Sequence, residues 1–244
     1  TKACAIRWDD SVLCWGTDRY VENNFASHQP LLPVELANSL QGNSPTFNHV
    51  ELGARFGLAT ELLNDGQRRA YIWGRPPGNS PPDPRLRVTP IDEATVAEND
   101  ADAWAAADNA ICYQKRGQIH CTGTLGQRTF GGQNWHTTPA LSGQAQLRCG
   151  SDHCCSFQPG GTQVKCWGQS DFGESFVVDR NNFVQVSDNS VTGPITDLAL
   201  GVDTSCALTD QGVECWGDNT YGQYGNNTQV NSPGPISDPI PTIP

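Results

Sequence analysis

The chain has 244 residues, 26 acidic against 15 basic side chains, a net charge of −11 at neutral pH and a pI near 4.7. Without the clustered Lys and Arg that grip phosphate, this composition excludes a nucleic-acid-binding role. No uninterrupted apolar run approaches the roughly 20 residues of a membrane span, so no membrane insertion is expected. Ten cysteines and no methionine point to an oxidising compartment and to a processed product or an excised piece, which a removed signal peptide fits.

One short pattern occurs five times along the chain. The first copy is Cys4…Cys14-Trp15-Gly16, with no strand ahead of it and Tyr20 in the loop behind. Val34–Leu40 then holds the one short stretch of helical periodicity. The second copy follows the alternating strand His49–Gly53 and reads Leu58…Ile72-Trp73-Gly74, with both cysteine positions apolar together. That joint replacement is expected if the two positions touch and either a disulfide or a hydrophobic pair can fill the site. The acidic stretch Asp92–Asp102 lacks the glycine and terminal Glu of a calcium loop and reads as a solvated loop.

The third copy, Ala103–Ala107 and then Cys112…Cys121-Thr122-Gly123, has lost the tryptophan. Trp135 and His136 lie outside the repeat register. The fourth copy is Gln146–Gly150 followed by Cys155…Cys166-Trp167-Gly168, with Phe172 in the next loop. The fifth is Thr196–Gly201 and Cys206…Cys215-Trp216-Gly217, followed by Tyr221, Tyr224 and the glycosylation tripeptide Asn226-Asn227-Thr228, which matters only in a eukaryotic source. A proline-rich tail covers 232–244.

Pairing the first and last cysteine of the fifth copy sets Ala207 opposite Glu214 and Leu208 opposite Val213, which makes a β-hairpin with Thr-Asp-Gln-Gly as its turn. Disulfides 4–14, 112–121, 155–166 and 206–215 each close across their own hairpin, where opposed residues stand near the ~5.5 Å a disulfide needs. Each contributes about 2–3 kcal/mol. Cys149 and Cys154 flank a turn and pair with each other. With every thiol accounted for, Cys149–Cys155 and His153 read as structural rather than as zinc ligands, and His153 as a loop hydrogen-bonder.

The marks at Trp15, Trp73, Thr122, Trp167 and Trp216 stand 45 to 58 residues apart, a four-stranded repeat period that points to propeller blades. The chain reads as all-β, a β-propeller of about five blades over residues 1–231, with the four marking tryptophans packed between blades. Gly234–Pro241 is a close copy of the strand at Gly193–Leu200, so the tail either closes the first blade as a clasp between the two ends or leaves as a linker.

Leu200–Gly225 resembles the repeat of the regulator-of-chromosome-condensation propellers over its whole length, and the cysteine-paired form resembles that family's secreted branch. Seven blades are usual there. Material for five implies a closed five-bladed ring or an excerpt of a longer propeller; closure would cover both blade ends. The family's GTPase exchange activity is not carried over, because its functional positions do not match residues here.

The expected function is that of an extracellular, secreted or cell-surface, non-enzymatic module. Its loops would contact another protein or a second copy within a surface or filamentous assembly, as a secreted relative that inhibits a β-lactamase uses the scaffold. No cofactor or metal is expected. The candidate binding residues are Tyr20, Trp135, His136, Phe172, Tyr221 and Tyr224. A glycan-binding propeller is the alternative, weakened because loop residues do not recur from blade to blade. A hydrolase or lyase with carboxylates paired across the channel is a further one, since such pairs leave no local motif.

Overall fold

The computed structural model describes residues 2–10, 12–16, 34–35, 46–64, 68–74, 89–90, 101–115, 118–130, 136–139 and 146–236. They form five antiparallel sheets in chain order and no helix. The first is β1 (Lys2–Ile6), β2 (Val12–Gly16) and β3 (Val34–Glu35). The second is β4 (Phe47–Leu52), β5 (Phe56–Leu62), β6 (Arg68–Gly74) and β7 (Thr89–Pro90).

The third holds β8 (Ala103–Ala106), β9 (Ala110–Lys115) and β10 (Gln118–Leu125), with an outer edge split between β11 (Arg128–Phe130) and β12 (His136–Pro139). The fourth is β13 (Gln146–Cys149), β14 (His153–Phe157), β15 (Gln163–Ser170) and β16 (Asp179–Ser190). The fifth is β17 (Ile195–Leu200), β18 (Thr204–Thr209), β19 (Gly212–Gly217) and β20 (Ser232–Ile236).

Every repeat hairpin pairs in the register that its spacing dictates: Cys4 faces Cys14, Leu58 faces Ile72, Cys112 faces Cys121, Cys155 faces Cys166 and Cys206 faces Cys215. Disulfides close all four cysteine pairs, a fifth joins Cys149 to Cys154, and no cysteine is free. Their Cα atoms stand 4.0 to 4.1 Å apart, tighter than the expected ~5.5 Å and nearer the narrow, non-hydrogen-bonded pairs of an antiparallel ladder.

The cores lie between sheets, not within them. Cys14 packs with Phe47, Ala59 and Tyr71 of the second sheet, and Leu58 with Trp104, Ile111 and Tyr113 of the third. Cys112 and Cys121 meet Leu147, Cys154 and Trp167 of the fourth, while Cys155 and Cys166 meet Ile195, Leu198 and Trp216 of the fifth. In the first four blades the paired position therefore faces the next blade, and Trp167 and Trp216 face the previous one.

That polarity accounts for two departures from expectation. Trp167 and Trp216 are sealed, but Trp15, expected in the core, is 38 % exposed. Among the described residues the first sheet has three strands, not four, and Trp15 joins none of the interblade clusters. At the other end, Leu208 on the outward side of the fifth sheet is 46 % exposed, whereas its repeat equivalent Phe157 is fully buried. The side chain of Trp73 lies outside the described residues.

Val34–Glu35, expected to begin the helical stretch, is strand instead: Val34 pairs with Cys14 and Glu35 with Leu13. The open edge of β2 offers backbone partners, and this tertiary pairing outweighs a weak local period. In the tail, Ser232–Ile236 lies on the free edge of β19 with Ile236 opposite Cys215. Of the Gly234–Pro241 stretch expected to close the first blade, 234–236 lies in this strand of the fifth sheet, and 237–241 is outside the described residues, as is 92–100 of the acidic segment.

The equivalence of a disulfide and an apolar pair is directly testable. The double variant Leu58→Cys/Ile72→Cys is expected to form a sixth disulfide during oxidative folding, read as a mass loss of two hydrogens and no free thiol. Two persistent thiols would show that the positions are not opposed. Leu58→Ala is expected to cost about 2–5 kcal/mol in a denaturant titration, because the sealed side chain leaves a cavity against the third sheet.

Candidate functional site

The strand ends that carry the Trp-Gly marks bear the longest described loops. Gly168 and Gly217 turn the chain there with φ of 122° and 96°. A Cβ on either would lie 2.5 Å from the Asp152 carbonyl oxygen or 2.3 Å from that of Asp203. The mark needs glycine because two backbones touch and φ is positive. Those same carbonyls accept the N–H groups of Gln169 and Asp218 and tie each loop to the start of its neighbouring strand.

The loop after β19 is built on Asn219, whose side chain is fully buried. Its Nδ2 donates to the Thr228 carbonyl at 3.0 Å and hydroxyl at 3.1 Å, and its Oδ1 accepts the Tyr224 N–H at 3.0 Å. Asp218 accepts from the Thr220 N–H and hydroxyl and, at 2.7 Å, from Gln223. Partial burial works against ionisation of Asp218, but these donors hold its carboxyl below the usual range.

Tyr224 belongs to this framework. It is 2 % exposed, donates its hydroxyl to the Gly217 carbonyl at 2.6 Å and accepts the Ser232 N–H, and burial pushes its phenol up to about 12. Expected as an exposed binding residue, it is a structural pin, because Gly217 and Ser232 leave polar backbone groups that need a partner in the loop's interior. Tyr221, three residues earlier, projects from the same loop with 86 % exposure.

The equivalent loop after β15 places Phe172 half-buried and turns Glu174 inward. Glu174 accepts the N–H groups of Asp171 at 3.0 Å and Phe172 at 2.9 Å, and its carbonyl takes the Trp216 indole N–H at 2.9 Å. Burial raises its carboxyl to about 7, helped by the charge of Asp203 and opposed by the backbone N–H donors. Asp203 is itself raised, by burial and then by Asp171, Asp218 and Asp152. Five carboxylates thus share this face, fringed by exposed Val177, Val178, Val202 and Val230.

Sequence reasoning missed Glu174, Asp203 and this convergence, because residues from four loops meet only in the fold. It also missed Trp8, 89 % exposed at the tip of the first hairpin, for which standing outside the repeat register was the available signal. Tyr20 and Trp135 lie outside the described residues. His136 opens β12, but its side chain is outside them too. Asn226 accepts from the Thr228 N–H and hydroxyl in a local turn. His153, expected in a loop, begins β14 fully buried, with Nε2 2.8 Å from the Ser205 hydroxyl, and burial lowers it to about 4. The sulfurs of Cys112, Cys149 and Cys154 gather between the third and fourth sheets, each already in a disulfide.

Residues 195–223 match the regulator of chromosome condensation (RCC1) repeat. No curated protein matches the chain in sequence. Among solved structures, the chain is similar to yeast RCC1 (Prp20) in its complex with Kap60, at 16% identity and a TM-score of 0.67, over 96% of this chain and 61% of that one. It is likewise similar to a second structure of Prp20p from Saccharomyces cerevisiae, at 14% identity and a TM-score of 0.64, over 96% and 60%. Human WBSCR16 follows at 14% identity and a TM-score of 0.62, over 86% and 57%. The chain spans about three-fifths of the length of these structures, and at such identities the likeness establishes the fold.

The buried acid has a stability signature. Glu174 binds its proton more tightly folded than unfolded, so its contribution is complete below about 4.5 and is lost as pH rises through about 7. His153 acts in the opposite sense, its contribution complete above 6.5 and lost as pH falls toward 4. Between pH 6.5 and 8.5, beyond the histidine window, wild-type protein is expected to lose urea stability while Glu174→Gln stays nearly flat. Parallel curves would mean that Glu174 is ionised throughout.

Proposed function

We propose that this RCC1-type repeat propeller is an extracellular, non-enzymatic binding module whose loop face over the fourth and fifth blades contacts another protein. The observation that carries the reading is Tyr221, an almost fully exposed aromatic on a loop held rigid by Asn219, Asp218 and Tyr224. A large side chain on a preorganised support loses little entropy on binding, which is how interface anchors work.

The neighbouring valines supply apolar area, and the surrounding carboxylates favour a partner with a basic face. The solved likenesses support a protein partner in kind: yeast Prp20 is seen bound to Kap60, and its binding to Gsp1p and histones has been described. An extracellular setting is supported by five disulfides and no free cysteine among ten.

A second reading, self-assembly, is favoured by exposed apolar side chains on the first and fifth blades. Trp15 at one end and Leu208 at the other are the two halves of the contact that each interior pair of blades makes, so one copy's front could cover another's back.

Cross-linking mass spectrometry on native material tests both readings. Recurrent links from the loops at 171–179 and 218–231 to one other protein would establish a heterologous partner, and links between the end blades of two copies would establish assembly. With a partner in hand, Tyr221→Ala is expected to weaken its binding about 30-fold, from a loss near 2 kcal/mol, without shifting the thermal midpoint. Unchanged affinity would remove Tyr221 from the interface.

A further inference from the structure

The first strands of the second, third and fourth sheets converge around a cavity of about 200 Å³ lined by Asn48, His49, Arg68, Trp104, Gln146 and Arg148. On a chain of net charge −11, this spot collects two guanidinium groups. Arg68 is half-buried at the start of β6. Among the described residues its side chain has no ion-pair or hydrogen-bond partner. Burial, and then the charge of Arg148, act against its protonated form. An uncompensated, partly desolvated cation facing a like charge is costly unless something supplies the missing negative charge.

Among the described residues, the acids near the cavity already have partners. Glu51 holds His49 at 2.9 Å and accepts the Ala106 N–H with its other oxygen. Glu61 faces Arg69 and the Tyr71 hydroxyl. Asp197 pairs with Arg148 at 2.8 Å from the exposed side. The amides are turned to match: Asn48 Oδ1 accepts the Thr60 hydroxyl and Gln146 Oε1 accepts from Arg148, and among the described residues the NH₂ group of each has no acceptor.

We propose that this cavity is a binding site for a small oxyanion. Arg68 is the principal ligand, Arg148 the second cation, and the Asn48 and Gln146 amides add donors. Guanidinium forks suit the paired oxygens of phosphate, sulfate or carboxylate. The volume decides the class: at about 200 Å³ it falls below the ~300–1,000 Å³ of sites for larger organic ligands. A free inorganic anion or small carboxylate fits within it.

The test uses the full chain, with calorimetric titration and thermal unfolding in sodium phosphate, sulfate or citrate against chloride at matched ionic strength. One or more of the three oxyanions is expected to bind at a single site and raise the midpoint saturably, and the preferred one identifies phosphate, sulfate or carboxylate as the source. Arg68→Gln is expected to weaken that binding about tenfold or more, while its midpoint in chloride does not fall below wild type, since a repelled charge is removed. Arg68→Lys, which keeps the charge but loses the fork, should lie between, and carries the comparison if Arg68→Gln fails to fold. Oxyanions no better than chloride, or equal responses from wild type and the Arg68 variants, would overturn the proposal.

Discussion

Everything in this molecule depends on one contact repeated along the chain. In each of the first four sheets a matched pair at the middle of the β-hairpin presses against the next sheet, and Trp167 and Trp216 close over the pairs of the third and fourth. A two-stranded hairpin is marginal by itself, and each sheet here buries little except against a neighbour, as expected for arrays whose stability is mostly nearest-neighbour. The pair can be a disulfide or Leu58 with Ile72, because both fill the same opposed, inward-facing volume. The sulfurs of Cys154 and Cys112 even meet across the third interface at 4.0 Å, so stapling within blades and packing between them use the same atoms.

The same geometry shapes the surface. Because Gly168 and Gly217 each lie against a carbonyl at the start of the preceding strand, the loops after β15 and β19 are anchored at their base. What differs between blades is what those loops bury. After β15 it is the Glu174 carboxylate, satisfied by two backbone donors; after β19 it is Asn219 and Tyr224. Rigid bases with unlike tips suit one asymmetric interface better than equivalent sites on every blade. The Arg68 cavity shares no residue with this face and is lined by strands instead of loops.

The legible part of the structure was the part in which sequence neighbours are also spatial neighbours. Hairpin register follows from the spacing of Cys206 and Cys215, and the identity of Leu58 and Ile72 reveals their opposition without a cysteine in sight. Tyr224 and Tyr221 show where such reading stops. Both are tyrosines in one glycine-rich loop, yet one is buried by its bonds to Gly217 and Ser232 while the other stands in solvent, and nothing in their immediate neighbours distinguishes them. Val34–Glu35 failed for a related reason, since the free edge of a distant strand decided its conformation.

By itself, then, the sequence determined the all-β class, the repeat, the hairpin register and the cysteine pairing, because each is set by periodicity and by contacts closed over about ten residues. Only the tertiary structure decided which repeat tryptophan is sealed and which is open, which loop aromatic is a buried pin and which stands in solvent, and that carboxylates from four loops and arginines from two blades converge. Burial and electrostatic environment are properties of the neighbours a residue acquires when sheets stack, and those neighbours lie dozens of residues away along the chain.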